Sequence, residues 1–272
     1  MSPTPLRVVV TDLDGTVVQP DGTLSRATVD AASALQARGV PLIVATARTP
    51  AGMESIDHLA RLTTVAVCCT GALGWSFATA DRLWAHFLDA GTVGHIADVV
   101  SRFDHVGFAS YDGASWRVTR EYVGFRGIRP RGPLEEVSLA DIAAARSCGM
   151  ALCIPDHTSA EMADLLLSAG ITDTYATLTW AADHLLDIAP PGIDKASGVT
   201  DALARVGRSW PETLVCGDMP NDLPMLRRAG TAVAPTGSPP EVLDAVDLVV
   251  PDLANGGFAD TLRRFGLIGP VR

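Results

Sequence analysis

The chain has 272 residues, of which 47% are hydrophobic and 19% are charged, and its formal net charge at pH 7 is −10. This length allows one large domain or two modest ones, and the composition is that of a globular protein. The negative charge argues against nucleic acid and anionic membranes as partners, because both would be repelled, whereas a local positive site would suffice for a small phosphorylated ligand.

The sequence contains no predicted leader or membrane span. The start, MSPTPLRVVV, lacks both a basic leader and a long apolar core. The uncharged segment 62–80 is interrupted by threonines, a serine and glycines, so it is not a continuous apolar run. The five cysteines lie mostly in apolar runs without zinc-ligand spacing, which favours buried, reduced thiols. We therefore expect a cytoplasmic protein.

The first third of the chain alternates predicted strands and helices. The apolar runs Leu6–Val10, Val40–Ala45 and Val65–Cys69 predict buried strands. Helices are predicted between them, over 25–39 and 51–62. Buried strands that alternate with helices predict a parallel sheet with right-handed crossovers.

The middle of the chain breaks this alternation. Residues 105–120 alternate apolar and polar side chains on either side of an Asp-Gly pair, which predicts an antiparallel hairpin. A strand at Met150–Ile154 and an amphipathic helix at Ser159–Ala169 follow. From Asp194 onward the strand–helix alternation resumes. The sequence therefore predicts one α/β core that is interrupted by a separate α+β insertion.

Polar residues follow the predicted core strands. The first strand leads into Asp12 and Asp14, the second into Thr46, and a strand at 213–216 leads into the segment GDMPND, which contains Asp218, Asn221 and Asp222. Lys195 opens a helix, and the turn before it would bring the lysine near the same edge. In an open parallel sheet, ligands bind outside the carboxyl ends of the strands.

Each of these residues also has an ordinary structural explanation. Asp14 and Gly15 could form a turn, Asp222 and Thr46 could cap helices, and Lys195 could be a solvated surface lysine. Taken together these explanations weaken, because they do not account for acids at the ends of two buried strands.

Four motifs occur in order along the chain: DLDGT at 12–16, Thr46 in VATAR, Lys195 in PPGIDKASGV, and GDMPND at 217–222. They resemble the four motifs of the haloacid dehalogenase superfamily of phosphohydrolases. The position of the insertion and the ending NGGFADTL at 255–262 resemble the type IIB, or Cof-like, branch of that superfamily.

The resemblance implies a fold and a domain order. We expect an α/β fold with a doubly wound, Rossmann-like parallel-sheet core and an inserted α+β cap domain of the C2B type. The core would consist of residues 1–82 and 188–272, with the cap at 83–187.

The resemblance also implies roles in phosphoryl transfer. Asp12 would be the nucleophile that forms an aspartyl-phosphate. Asp14 would protonate the leaving alcohol and later deprotonate the water. Thr46 and the backbone N–H of Ala47 would hold phosphate oxygens, and Lys195 would neutralise charge during the transfer.

Two carboxylates that face a phosphate dianion need a counter-charge, and the implied ion is Mg²⁺. Its expected protein ligands are Asp12, the backbone carbonyl of Asp14, and Asp218. Asp222 would act through a metal-bound water or orient Lys195.

Further residues are assigned to substrate binding. Gly15 would allow the backbone to approach the phosphate, and Asn221 would contact the phosphate or position the lysine. For Arg48 two roles stay open, a contact with the leaving group or a structural ion pair. Candidates for substrate contact in the cap are Tyr111, Trp116, Tyr122, Arg126 and His184.

The resemblance thus implies a Mg²⁺-dependent phosphatase for a small phosphorylated metabolite, such as a sugar phosphate. Two alternatives stay open. One is a phosphomutase of the phosphomannomutase type, and the other is a non-catalytic module that binds a phosphorylated ligand. The sequence makes no prediction of the oligomeric state.

Overall fold

The structure is a computed structural model that describes residues 4–126 and 130–270. The chain forms two compact units. The core unit contains the described residues up to Leu83 and those from Lys195 onward, and the inserted unit spans Trp84–Asp194. The sequence predicts the borders of the insertion at 82/83 and 187/188.

The strands, in chain order, are β1 (Val8–Thr11), β2 (Leu42–Ala45), β3 (Val65–Cys68), β4 (Leu73–Ser76), β5 (Asp81–Ala85), β6 (Gly107–Tyr111), β7 (Trp116–Val118), β8 (Leu134–Glu136), β9 (Gly149–Cys153), β10 (Thr177–Ala182), β11 (Leu185–Ala189), β12 (Thr213–Cys216), β13 (Thr231–Pro235) and β14 (Leu248–Val250). The helices are α1 (Arg26–Ala37), α2 (Pro50–Glu54), α3 (Asp57–Leu62), α4 (Ala90–Val100), α5 (Arg120–Arg126), α6 (Leu139–Ala143), α7 (Ser159–Ser168), α8 (Lys195–Arg205), α9 (Leu223–Leu226), α10 (Pro240–Leu243) and α11 (Phe258–Arg264).

Strand β1 lies inside the larger sheet, whose order is β14-β13-β12-β1-β2-β3-β4-β5. It pairs in parallel with β12 on one side and with β2 on the other. Residues Val8–Val10 are completely buried, as expected for a parallel strand that is covered on both faces. The run of valines therefore fixes the position of the residues that follow Thr11.

The predicted helix over 51–62 is instead two short helices, α2 and α3. Ile56, which lies between them, is buried and has φ −113° and ψ 56°, outside the α-helical region. The helix is thus interrupted where this side chain enters the core.

The described part of the inserted unit forms a sheet with the order β10-β11-β9-β6-β7-β8. The predicted hairpin is present as the antiparallel pair β6 and β7. One face of this sheet packs on α4, α6 and α7 in a buried apolar cluster that includes Phe108, Ile142 and Met162. The predicted fold class, an α/β core with a parallel sheet and an inserted α+β cap, is confirmed. Among the described residues, no helix is both long and apolar enough to cross a membrane.

Candidate active site

Three neighbouring strands end at one edge of the core sheet. Asp12 follows β1, Thr46 follows β2, and Asp218 follows β12 after one glycine. The backbone N–H of Asp12 donates to the carbonyl of Cys216 at 2.9 Å, which ties the ends of β1 and β12 together. Because these strands are parallel neighbours, their carboxyl ends bring the predicted residues to a single place.

Lys195 lies between two of the acidic residues, Asp12 and Asp222. It is the first residue of α8, and only 1% of it is exposed. Its Nζ donates to Oδ1 of Asp12 and to Oδ1 of Asp222, each at 2.6 Å. Burial alone would lower the pKa of this ammonium group, but the charges of the two aspartates outweigh burial and raise the pKa. Lys195 is therefore a buried cation, not a solvated surface lysine.

Asp222 fixes the loop after β12. The whole residue is buried, and its Oδ2 accepts the backbone N–H groups of Asp218 at 3.0 Å and Met219 at 3.1 Å. At Gly217, an added Cβ would lie only 2.7 Å from the Cβ of Asp222. Both carboxylate oxygens of Asp222 thus have partners, since Oδ1 accepts from Lys195.

Asp218 is held by a residue to which the sequence analysis gave no role. The hydroxyl of Thr16 donates to its Oδ1 at 2.6 Å. Burial raises the pKa of Asp218 to about 6, and the nearby charge of Asp222 acts in the same direction, whereas the bond from Thr16 opposes both. Thr16 is the last residue of the DLDGT motif, and its place in that motif is the sequence feature that could have identified it as a site residue.

Asp12, Asp218 and Asp222 form a cluster that could hold a cation. One carboxylate oxygen of each lies within 4.8 Å of those of the other two. Burial raises the pKa of Asp12 well above its usual range. Lys195 opposes this shift, and the charges of Asp222 and Asp218 add to it. The three carboxylates together with the one ammonium group leave a surplus of negative charge, which a divalent cation would offset.

Asp14, two residues after Asp12, forms a separate pair with Arg48, two residues after Thr46. Arg48 donates from Nε to Asp14 Oδ2 at 2.8 Å and from Nη2 to Asp14 Oδ1 at 2.5 Å. Of the two roles left open for Arg48, the ion pair is the one observed. The buried Thr46 contributes its Oγ1, which accepts the backbone N–H of Arg48 at 3.1 Å. Ala47 is partly buried between them.

Asn221 stands out by its lack of partners. The residue is 3% exposed, and neither Oδ1 nor Nδ2 of its amide has a hydrogen-bond partner among the described residues. Buried amides are almost always hydrogen-bonded in native proteins. The side chain therefore has both an acceptor and a donor that a bound ligand could use.

The cap candidates lie in the inserted unit. The rings of Tyr111 and Trp116 pack with centroids 5.2 Å apart, and Tyr122 is buried in a small apolar cluster. His184 is exposed, and its Nδ1 lies 2.8 Å from the carbonyl oxygen of His157. The side chain of Arg126 lies outside the described residues.

Comparison with known proteins gives consistent matches. A family model of haloacid dehalogenase-like hydrolases matches residues 9–262. The chain is 23% identical over 261 residues to the phosphoglycolate phosphatase of Methanoculleus marisnigri, covering 96% of this chain and 97% of that protein. It is also 23% identical over 254 residues to the pyridoxal phosphate phosphatase YbhA of Escherichia coli, covering 90% and 93%.

The fold is similar to that of a solved structure, the HAD subclass IIB sugar phosphatase BT4131. The TM-score is 0.81 at 20% sequence identity, and the match covers 96% of this chain and all of the other. This likeness concerns the fold, which includes the inserted unit.

Proposed function

Because the chain belongs to the haloacid dehalogenase-like hydrolase family, we propose that it hydrolyses a small organic phosphate monoester with the help of Mg²⁺ and an aspartyl-phosphate on Asp12. The predictions of this family and of a phosphatase enzyme are confirmed. The metal, the intermediate, the roles of single residues and the substrate class belong to the proposal.

One observation carries the proposal. The Nζ of Lys195 lies 2.6 Å from a carboxylate oxygen of Asp12 and 2.6 Å from one of Asp222, and Asp218 completes a cluster of acids within 4.8 Å. A buried strand end thus presents one carboxylate beside a fixed cation and a candidate metal site. This combination suits the attack of a carboxylate on an anionic phosphate.

The proposed reaction has two steps. In the first, a carboxylate oxygen of Asp12 forms a bond to phosphorus while the bond from phosphorus to the leaving oxygen breaks, and Asp14 gives that oxygen its proton. In the second, a water oxygen forms a bond to phosphorus while the bond from phosphorus to the Asp12 carboxylate oxygen breaks, and Asp14 takes a proton from the water. Phosphate leaves, and both aspartates return to their starting states.

The acidic residues fit a hard divalent cation. All donors are oxygens, and the cluster carries more negative than positive charge. Asp12, Asp218 and the backbone carbonyl of Asp14 would hold Mg²⁺. Asp222 would instead orient Lys195, since both of its oxygens already have protein partners. When bound, the ion would offset the charge of the phosphate and the nucleophile.

The phosphate itself would contact neutral and positive groups. Lys195, Thr46 and the backbone N–H of Ala47 would bind its oxygens. Asn221 is a further candidate, because its buried amide lacks a partner among the described residues. Gly15 would keep this approach open, since it carries no side chain.

For the substrate we propose a sugar phosphate or a similar metabolite. The names of the relatives refer to phosphoglycolate, pyridoxal phosphate and sugar phosphates, which are all small molecules with one phosphate group to remove. We propose that the inserted unit is the cap and selects the leaving group, with Tyr111, Trp116, Tyr122, Arg126 and His184 as the candidate contacts.

The test of the mechanism is the change Asp12→Asn. The wild-type protein is expected to release phosphate from p-nitrophenyl phosphate with Mg²⁺ present, and to lose this activity when EDTA removes the metal. Asp12→Asn should reduce the rate to background. The matched control is Asp30→Asn, on the exposed side of α1, which should keep the wild-type rate. Equal rates for Asp12→Asn and wild type would refute the mechanism.

Product analysis with a hexose phosphate separates the alternatives. Release of free phosphate indicates hydrolysis, and formation of an isomeric hexose phosphate indicates a mutase. Binding without either product, over a panel of phosphorylated metabolites, would indicate a binding module and contradict the proposal.

A further inference from the structure

Arg48 is a charged residue beside the nucleophile loop that the two steps above do not use. Its guanidinium group contacts both carboxylate oxygens of Asp14, through Nε at 2.8 Å and Nη2 at 2.5 Å. The side chain of Asp14 is 56% exposed, and that of Arg48 is 26% exposed. A two-point contact of this kind fixes the orientation of a carboxylate as well as its position.

Arg48 is itself held in place by the loop after β2. Its Nη1 donates to the carbonyl of Gly52 at 3.3 Å, and its backbone N–H donates to Thr46 Oγ1 at 3.1 Å. Its carbonyl accepts the N–H of Cys69 at 3.0 Å. At Gly52, an added Cβ would lie 3.2 Å from the Cβ of Arg48. The glycine therefore leaves room for the arginine, and the loop after β2 holds Arg48 in place.

An ion pair at a protein surface contributes little stability as a rule. Arg26 and Asp30 form such a pair within one turn of α1, and both side chains are exposed. The pair of Arg48 and Asp14 differs because it joins two loops 34 residues apart in sequence. Its clearest consequence is that the more exposed partner, Asp14, is held in one orientation.

We propose that Arg48 is a positioning residue that holds the carboxyl group of Asp14 in the orientation needed for proton transfer. This proposal rests on the proposed phosphatase function. When Asp14 carries its proton, one oxygen bears the O–H and the other keeps its contact with Arg48. The bond to the Gly52 carbonyl keeps the guanidinium group in place. After the proton passes to the leaving oxygen, both contacts re-form until water supplies the next proton.

A comparison of two leaving groups tests this role. Phenyl phosphate needs a proton on its leaving oxygen, whereas the leaving group of dinitrophenyl phosphate departs as an anion. Formation of the phosphoenzyme is measured by rapid quench, since the later hydrolysis also depends on Asp14. General acid catalysis contributes about 10²–10⁴-fold. We therefore expect Arg48→Gln to slow the reaction of phenyl phosphate about tenfold or more, and that of dinitrophenyl phosphate about threefold or less.

A double-mutant cycle with Asp14→Asn shows whether Arg48 acts through Asp14. If it does, Arg48→Gln should add no further loss with phenyl phosphate once Asp14 has been replaced, because coupled residues are not additive. Arg48→Lys should recover part of the rate, since lysine restores the charge but not the planar two-point contact.

The matched control is Arg26→Gln, which also removes one arginine–aspartate pair. It should leave both rates at the wild-type level. Equal losses with the two substrates, or additive losses in the Asp14→Asn background, would overturn the positioning role while leaving the phosphatase intact. If the wild type formed no phosphoenzyme and released no phosphate from either substrate, the proposed function would fail, and this proposal with it.

Discussion

At the scale of single residues, Gly15 allows the nucleophile loop to approach the loop after β12. Its φ of +84° lies in the left-handed region, which is strained for residues with a side chain. An added Cβ would overlap Oδ2 of Asp218 and lie 2.9 Å from its Cγ. Glycine is thus favoured at this position for two reasons: its backbone is left-handed, and the carboxylate of Asp218 leaves no room for a side chain.

We expect Gly15→Ala to weaken Mg²⁺ binding about tenfold or more, because it would displace a ligand that must be held close to its ideal position. Isothermal titration calorimetry measures the affinity, and thermal denaturation measures stability. The control is Gly22→Ala, where φ is +82° but no atom lies within 4 Å of the added Cβ. That variant has the backbone strain alone. Equal Mg²⁺ affinities of the two variants would contradict a specific effect on Asp218.

The contacts among the site residues could not be predicted at this scale. The motifs predicted Asp12, Asp218 and Lys195 as members of one site, because each follows or precedes a recognisable element. The bond from Thr16 to Asp218 joins residues 202 positions apart. A sequence pattern reports which side chains are present near strand ends, but the choice of partner depends on side-chain orientation in the folded loops.

At the scale of elements, helix α8 determines where the lysine lies. Its first residue is Lys195, and its first turn packs closely at Gly198, where an added Cβ would lie 2.5 Å from Val67 Cγ1 and 2.8 Å from the Cα of Gly71. The missing side chain lets the helix pack directly on β3 and the turn after it. The sequence predicted this helix and its lysine, but not the close packing, since a glycine in a helix gives no sign of what faces it.

We expect Gly198→Ala to destabilise the protein, although alanine favours a helix by about 1 kcal/mol. Overpacking in a tight contact costs about 1–3 kcal/mol, and relief of the clash would move Lys195 away from Asp12, so the rate with p-nitrophenyl phosphate should fall as well. The control is Gly124→Ala in α5, where nothing lies within 4 Å of the added Cβ. It should leave the rate unchanged and keep or raise the melting temperature. A stable, fully active Gly198→Ala variant would contradict this packing role.

At the scale of the whole molecule, the residues proposed for phosphoryl transfer lie in the core unit, and the insertion forms a second unit. The proposed metal ligands and Lys195 all belong to the core unit, whereas the inserted unit has its own buried cluster around Phe108 and Leu152. The sequence predicted this division from the change in pattern, because alternating hairpin residues differ from buried parallel strands. In the structure, β11 continues the inserted sheet and the turn after it belongs to the same unit, which extends to Asp194.

Labelling of the cysteines can measure the opening of each of the two units separately. All five are buried, with three in the core unit and two in the inserted unit: Cys68, Cys69, Cys216, Cys148 and Cys153. Burial raises the pKa of Cys216 to about 12 and shifts the pKa of Cys68 in the same direction. Since the thiolate is the reactive form, labelling near neutral pH requires the unit around each cysteine to open.

We expect Mg²⁺ to slow labelling of the core thiols more than that of Cys148 and Cys153. A ligand that binds the folded state alone stabilises it by about 2.7 kcal/mol at one hundred times its Kd, and the proposed ligands lie in the core unit. Labelling in low urea, followed by mass spectrometry of peptides, measures each site with and without Mg²⁺. The change Asp218→Asn should abolish the difference. Equal protection of all five thiols would mean that the two units open together, and no protection at any thiol would count against the metal site itself.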